Sequence, residues 1–345
     1  MKWSLTMLLA AVLAALSTGS AQAEDKYKAR VLLDGLLNPS GLAAQPGTKH
    51  LFISDSGAER ILLYHIDATG DHVYDKVITK FGKDVYGKGP KYDIGPLGLA
   101  FLGKQLVVGG GEKLDSEEVL HIYDVPPHGQ SITADKGTTL GPIPAGPESG
   151  KGEGNFFGVA TTADAIYVTS NGDDTKGWIL KSEVKAGKPG PLKPFIATKS
   201  KVDVDAPAGI TIDKAGNLVV GQMGEVGTAG DSLLTIYNTK GELVTSAKAG
   251  GISDLVGVAY SPKTGKLYGI DFSWAKEADG GLFSITVEGT GKDAKVKAEK
   301  ITSLDKPAAM AFGPDGKLYV VQFGSKKSED DKKRPGSLVV IEGDL

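Results

Sequence analysis

The stretch Pro39–Tyr64, PSGLAAQPGTKHLFISDSGAERILLY, opens on the small-residue phrase PSGLA and continues into two short runs of strand-forming residues. The opening phrase returns as Leu97-Gly98-Leu99-Ala100, Phe157-Gly158-Val159-Ala160 and Pro207-Ala208-Gly209-Ile210-Thr211. It returns twice more, as Val256-Gly257-Val258-Ala259 and Pro307-Ala308-Ala309-Met310-Ala311. The key positions 41, 98, 158, 209, 257 and 309 are spaced 48–60 residues apart. A second run follows each copy: Leu51–Asp55, Leu106–Gly110, Ile166–Ser170, Leu218–Gln222, Leu267–Asp271 and Leu318–Gln322. Turn residues such as Asp315-Gly316 separate the two runs, which reads as a hairpin. A third run comes after a variable loop (Ile61–Tyr64, Val119–Tyr123, Trp178–Lys181, Leu233–Tyr237, Leu282–Ile285, Leu338–Ile341), and a more polar fourth leads to the next unit.

Four antiparallel strands in a unit of this length form a blade that cannot bury both faces alone, so the units must stack around an axis. The sequence therefore predicts an all-β, six-bladed β-propeller. Glycine holds the key position in five of the six copies. That suits an innermost strand, where backbones from neighbouring blades approach too closely for a Cβ. The chain ends just after the third strand of unit six, while Lys28–Pro39 resembles the fourth-strand stretch Val296–Pro307. The N-terminal strand is thus expected to complete the last blade and remove two open sheet edges.

The same residues carry a family resemblance. Pro39–Tyr64 resembles an NHL repeat, and Pro207–Tyr237 and Pro307–Ile341 resemble it more loosely. The six-bladed shape is similar to that of the senescence-marker-protein, gluconolactonase and luciferin-regenerating-enzyme family. The likeness spans Glu24–Leu345 as one domain, and its motifs are those of a scaffold, on which many activities are built.

Lys2, the apolar run Leu5–Leu16 and the closing Ala21-Gln22-Ala23 form a secretory signal peptide over residues 1–23, with cleavage expected after Ala23. The apolar run falls short of the length of a membrane span. A periplasmic or secreted protein with no membrane anchor after cleavage is expected. The absence of cysteine excludes disulfides, thiolate metal sites and thiol nucleophiles. A formal net charge of −3, with Arg30, Arg60 and Arg334 the only arginines, gives no footprint for nucleic acid.

The family resemblance implies a test for chemistry. Lactonase-type members hold a divalent cation on the axis through a polar residue just before the inner-strand glycine. Here those positions are Ser40, Leu97, Phe157, Ala208, Val256 and Ala308, five of them without a polar side-chain atom. Ca²⁺ takes six to eight oxygens, so this ring does not supply that site. The nearest match to the family's Glu-Gly-Pro-x-Trp element is Glu153–Phe157, with Glu153 four residues ahead of the expected place. Other Ca²⁺ candidates are Asp173 and Asp174 in one loop and Asp203 and Asp205 in another, although such residues also simply make turns. The five histidines are scattered along the chain without HExxH spacing. They read as structural or solvent-facing, and the His/Arg sets of quinone-dependent dehydrogenases and amidating lyases are not evident. No Gly-x-Ser-x-Gly elbow is present, Gly109–Gly111 lacks the Lys-Ser/Thr of a phosphate loop, and Lys326–Arg334 reads as a solvated charge run.

The long loops fall on one face and carry Tyr86, Tyr92, Glu153, Asn155, Gln222, Asp271, Trp274 and Gln322. They are candidates for contact with a small molecule or a protein, or for hairpin caps and a channel plug. The sequence reading favours a monomeric binding scaffold without a catalytic set. The alternative is a cation-dependent, lactonase-like hydrolase or a lyase with an atypical site. Convergence of Glu153, Asn155, Asp205 and Asp271 would favour the enzyme, and a channel sealed by Leu97, Phe157 and Val256 would favour the scaffold.

Overall fold

A computed structural model describes residues 26–86, 91–172, 176–325 and 335–345. Each repeat forms one antiparallel sheet, and six such sheets surround an axis. Blade one contains Pro39–Ala44, Leu51–Asp55, Arg60–Ile66 and His72–Thr79. Blade two contains Leu99–Leu102, Gln105–Gly109, Leu120–Asp124 and Thr138–Leu140, and blade three Val159–Thr161, Ala165–Ser170, Trp178–Lys185 and Lys193–Ala197. Blades four and five repeat the order from Pro207 to Lys248 and from Leu255 to Ser303. In blade six, Lys28–Leu36 pairs with Gly336–Glu342, so the N-terminal strand closes the ring as expected.

The inner-strand glycines explain themselves in the packing. A Cβ on Gly209 would lie 2.6 Å from the Gly257 Cα and 2.8 Å from the Val256 carbonyl oxygen. Each such glycine in the first four blades meets the carbonyl just before the next blade's key glycine. Second-strand hydroxyls stitch the same contact: Ser54 Oγ donates to the Leu97 carbonyl at 2.6 Å and Thr169 Oγ1 to the Ala208 carbonyl at 2.8 Å. The core lies between blades, where alternate side chains of adjacent sheets interdigitate; Phe52, Leu106 and Tyr123 share one such layer between blades one and two. Stacking of this kind buries both faces of every small sheet.

Two elements depart from the four-strand pattern. Ile132–Thr133, from the third-to-fourth-strand loop of blade two, adds in parallel to the outer strand of blade one. The connection between blades one and two forms a separate hairpin, Asp84–Tyr86 against Tyr92–Ile94. Among the described residues, no helix is long and apolar enough to cross a membrane.

Candidate functional site

The axial channel is narrow and, Ser40 aside, its side-chain lining is apolar. The inner strands and Phe157, Val256 and Ala308 line a space of about 70 Å³ with no carboxylate. Phe157, Val256 and Ala308 also floor the mouth above it, which Tyr86, Tyr92, Phe272, Trp274 and Phe323 close down to about 20 Å³. Tyr92 makes this possible by reaching across the axis: its ring stacks on Trp274 at 5.6 Å and meets Phe323 edge-on at 5.1 Å. Tyr86 lies 5.1 Å from Tyr92 and completes the cap. The three aromatic candidates therefore share one assembly, built from the loops of blades one, five and six.

Among the described residues lining the mouth, Asn171 alone carries an amide side chain, and it leads to a polar cluster wedged between blades two and three. There the backbone of Gly154 and Asn155 runs between two walls. On one side, the Asn155 N–H donates to Glu118 Oε2, and Asn155 Nδ2 approaches Asp115 Oδ1 at 3.3 Å. On the other, the Gly154 N–H donates to Ser170 Oγ at 3.2 Å, while the Asn171 N–H donates to the Gly154 carbonyl at 3.1 Å. Ser170 Oγ also lies 2.5 Å from Glu153 Oε2. Gly154 is required here, since a Cβ would fall 2.6 Å from both Asp115 Oδ1 and Glu118 Oε2.

Glu118 and Glu153 are both fully buried. Among the described residues, Glu118 Oε1, Asn155 Oδ1 and Asn171 Oδ1 are buried oxygens that meet no hydrogen-bond donor. Burial, followed by the nearby charges of Glu112 and Asp115, pushes the Glu118 carboxyl up to about 9, against the opposing pull of the Asn155 and Lys113 N–H groups. Unsatisfied acceptors of this kind are costly unless something positive meets them. Oxygen-only donors of mixed carboxylate and amide type are the chemistry of a hard divalent cation.

A related arrangement occurs between blades four and five. Asp254 stands three residues before Gly257, as Asn155 does before Gly158. Asp254 Oδ2 accepts the Trp274 N–H at 2.6 Å and so anchors the aromatic cap. Burial, opposed by that N–H and reinforced by Asp271 and Asp231, raises the Asp254 carboxyl to about 7.

The remaining candidates serve the loops. Asp271 accepts the backbone N–H groups of Ser253, Asp254 and Ser273 at 2.8–3.1 Å. Gln222 donates to the Val204 carbonyl at 2.7 Å, and Gln322 accepts the Asp305 N–H at 2.8 Å. All three occupy the end of a second strand and fasten the chain entering their own blade. Asp205 pairs with Lys199 at 3.0 Å, Asp203 caps the short helix Thr198–Val202 in a left-handed conformation, and neither belongs to the cluster. Asp173 and Asp174 lie outside the described residues. Of the four residues whose convergence would favour an enzyme, Glu153 and Asn155 flank the Gly154 backbone on opposite walls of one cluster, Asp205 and Asp271 lie elsewhere, and Glu118 and Asp254 were not singled out by the sequence. An acid just before a third strand looks like any loop acid until the next blade covers it.

No protein-family model matches the sequence, and no curated protein matches it. The fold does match solved structures over nearly its whole length. An aldose sugar dehydrogenase from Streptomyces coelicolor in its PQQ-bound form aligns with a TM-score of 0.60 and 20% identity, covering 92% of this chain and 97% of that one. The soluble aldose sugar dehydrogenase of Escherichia coli in its apo form gives 0.62 and 15%, covering 92% and 99%. A gluconolactonase from Xanthomonas campestris gives 0.58 and 13%, covering 94% and 93%. At these identities the likeness establishes the fold. It also corrects the preference for a non-catalytic binding scaffold, because these whole-length neighbours are enzymes and favour the catalytic alternative. The axis is apolar, as the sequence indicates. An apolar axis does not imply an absence of chemistry, because the buried carboxylates stand off the axis, between blades.

Proposed function

We propose that this protein is an exported, divalent-cation-dependent hydrolase of lactonase type, related to the gluconolactonase propellers and acting on a small carbohydrate-derived ester at the loop-rich face. The observation that carries the reading is that Glu118, Asn155 and Asn171, which all pack along the Gly154–Asn155 backbone, each keep a buried oxygen without a hydrogen-bond donor, and that Asn171 also lines the aromatic mouth. Tyr92 and Trp274 offer flat apolar faces of the kind that pack against a sugar ring. Phe157 and Val256 form an apolar floor between this mouth and the channel below.

A hard cation held by Glu118, Asn155 and Asn171 would supply Lewis-acid polarisation of an ester carbonyl and a more acidic bound water. The protein's own groups do the rest. Glu118 holds its proton at neutral pH and releases it as positive charge arrives, so loading is coupled to proton release. Ser170 Oγ fixes the orientation of Glu153, which holds a second buried carboxylate on the other side of the Gly154 backbone as a candidate base. Tyr86 and Tyr92 cap the mouth, so substrate enters by displacing their hairpin.

PQQ, the group carried by one dehydrogenase neighbour, fits these residues poorly. It is a tricarboxylate, and the mouth offers neither arginine, histidine nor lysine among its described lining residues. The test is hydrolysis of an aldonolactone panel by purified protein with Ca²⁺, Mg²⁺, Mn²⁺ or chelator. Cation-dependent turnover that Glu118→Gln abolishes supports the proposal. Turnover unaffected by chelator, or its absence with every cation, refutes it.

A further inference from the structure

Two histidines far apart in sequence meet an aspartate on the rim of blade one. His65 lies on the third strand, Asp75 on the fourth, and His128 arrives from blade two. The parallel pairing of Ile132 with Ile78 and Thr133 with Thr79 pins that loop to blade one and places His128 over the strand edge. His65 Nε2 stands 3.3 Å from Asp75 Oδ2 and 3.3 Å from His128 Nε2, and His128 Nε2 stands 3.7 Å from Asp75 Oδ2.

These three separations have a definite meaning. A point equidistant from the three atoms lies about 2 Å from each, the bond length of Zn²⁺ to imidazole nitrogen and carboxylate oxygen. Tetrahedral ligands at that bond length stand about 3.3 Å from one another, which two of the three edges match. His65 is buried, Asp75 is part-exposed and the His128 side chain is 62% exposed, so the site is both anchored and reachable. His50 packs beside His65 with ring centroids 5.7 Å apart, and its Nδ1 is held by Gln45 Oε1 at 3.1 Å, which leaves Nε2 as its available ligand atom.

We propose that His65, Asp75 and His128 form a binding site for Zn²⁺, separate from the interblade oxygen cluster, that clamps the blade-two loop to the rim of blade one. Imidazole nitrogen with one carboxylate suits zinc and its neighbours in the first transition row, whereas an all-oxygen cluster suits a hard cation. The two sites are therefore separable by the choice of ion and of mutant.

The experiment is calorimetric titration of tag-free, chelator-stripped protein with Zn²⁺ at pH 7.5, with thermal unfolding read in parallel. One equivalent of Zn²⁺ binds, the unfolding temperature rises, and His128→Ala weakens binding at least tenfold while its metal-free unfolding temperature matches the wild type. Asp75→Asn weakens it in the same direction, and Glu118→Gln leaves it unchanged. No binding to the wild type, or wild-type affinity in both His128→Ala and Asp75→Asn, overturns the site.

Discussion

Glu118→Gln should stabilise the cation-free protein, by an amount that depends on pH. Burial moves the Glu118 carboxyl from its ordinary 4.5 to about 9 in the folded chain. Across that window the unfolded chain has lost a proton that the folded chain still holds, so the free energy of unfolding falls as pH rises. Stability associated with this group is complete below pH 4.5 and declines until about 9. Each unit is worth about 1.4 kcal/mol, which makes the penalty about 3 kcal/mol at pH 7. Glutamine has no such proton to lose, retains an oxygen to accept the Asn155 N–H and adds an amide donor toward the donor-less acceptors. Urea unfolding of both proteins in chelator at pH 4.5 and pH 7 isolates the effect, since all other carboxylates titrate alike in the two. The gap in stability should shift toward the variant by about 3 kcal/mol between the two pH values. Saturating Ca²⁺ should raise the wild type and not the variant. Stability curves for the two proteins that run parallel from pH 4.5 to 7 would refute the buried, proton-holding carboxyl.

The same packing sets four other outcomes. Because Asp254 holds the Trp274 N–H and titrates near 7, intrinsic fluorescence should change with a midpoint near pH 7 in the wild type and lose that transition in Asp254→Asn. Gly209→Ala should cost about 1–3 kcal/mol in chemical unfolding, since its Cβ has no room against Gly257. Removing Lys28–Leu36 should leave the blade-six strand Gly336–Glu342 unpaired on its outer edge, and size-exclusion chromatography should show association of the truncated protein. Tyr92→Ala should open the mouth and raise KM for a lactone, because Tyr92 holds the aromatic cap together through Trp274 and Phe323; an unchanged KM would count against the cap.

The architecture was legible because a propeller is a repeat, and each repeat states the same physical requirement. Gly41, Gly98, Gly158 and Gly209 mark places where a neighbouring blade forbids a side chain, and that mark survives in a single sequence. Strand closure was legible for a similar reason, since Lys28–Leu36 looks like the fourth strand that blade six lacks. The candidate site was only half legible. Glu153 and Asn155 stand in a conspicuous loop, but Glu118 gains its character from the turn of chain that another blade lays across it. Gln222, Asp271 and Gln322 recur in register at the ends of second strands, a pattern that suits both ligand contact and loop capping, and each bonds to the backbone of the chain entering its own blade. The rim histidines show the opposite case. His65 and His128 are 63 residues apart, and only the parallel addition of Ile132–Thr133 to blade one brings them together.

The most direct test of the central claim is a crystal structure of the protein grown with Ca²⁺, read by anomalous difference density. The account predicts a peak about 2.3–2.6 Å from oxygens of Glu118, Asn155 and Asn171. An empty cluster, with those oxygens instead bonded to water or to one another, would contradict it.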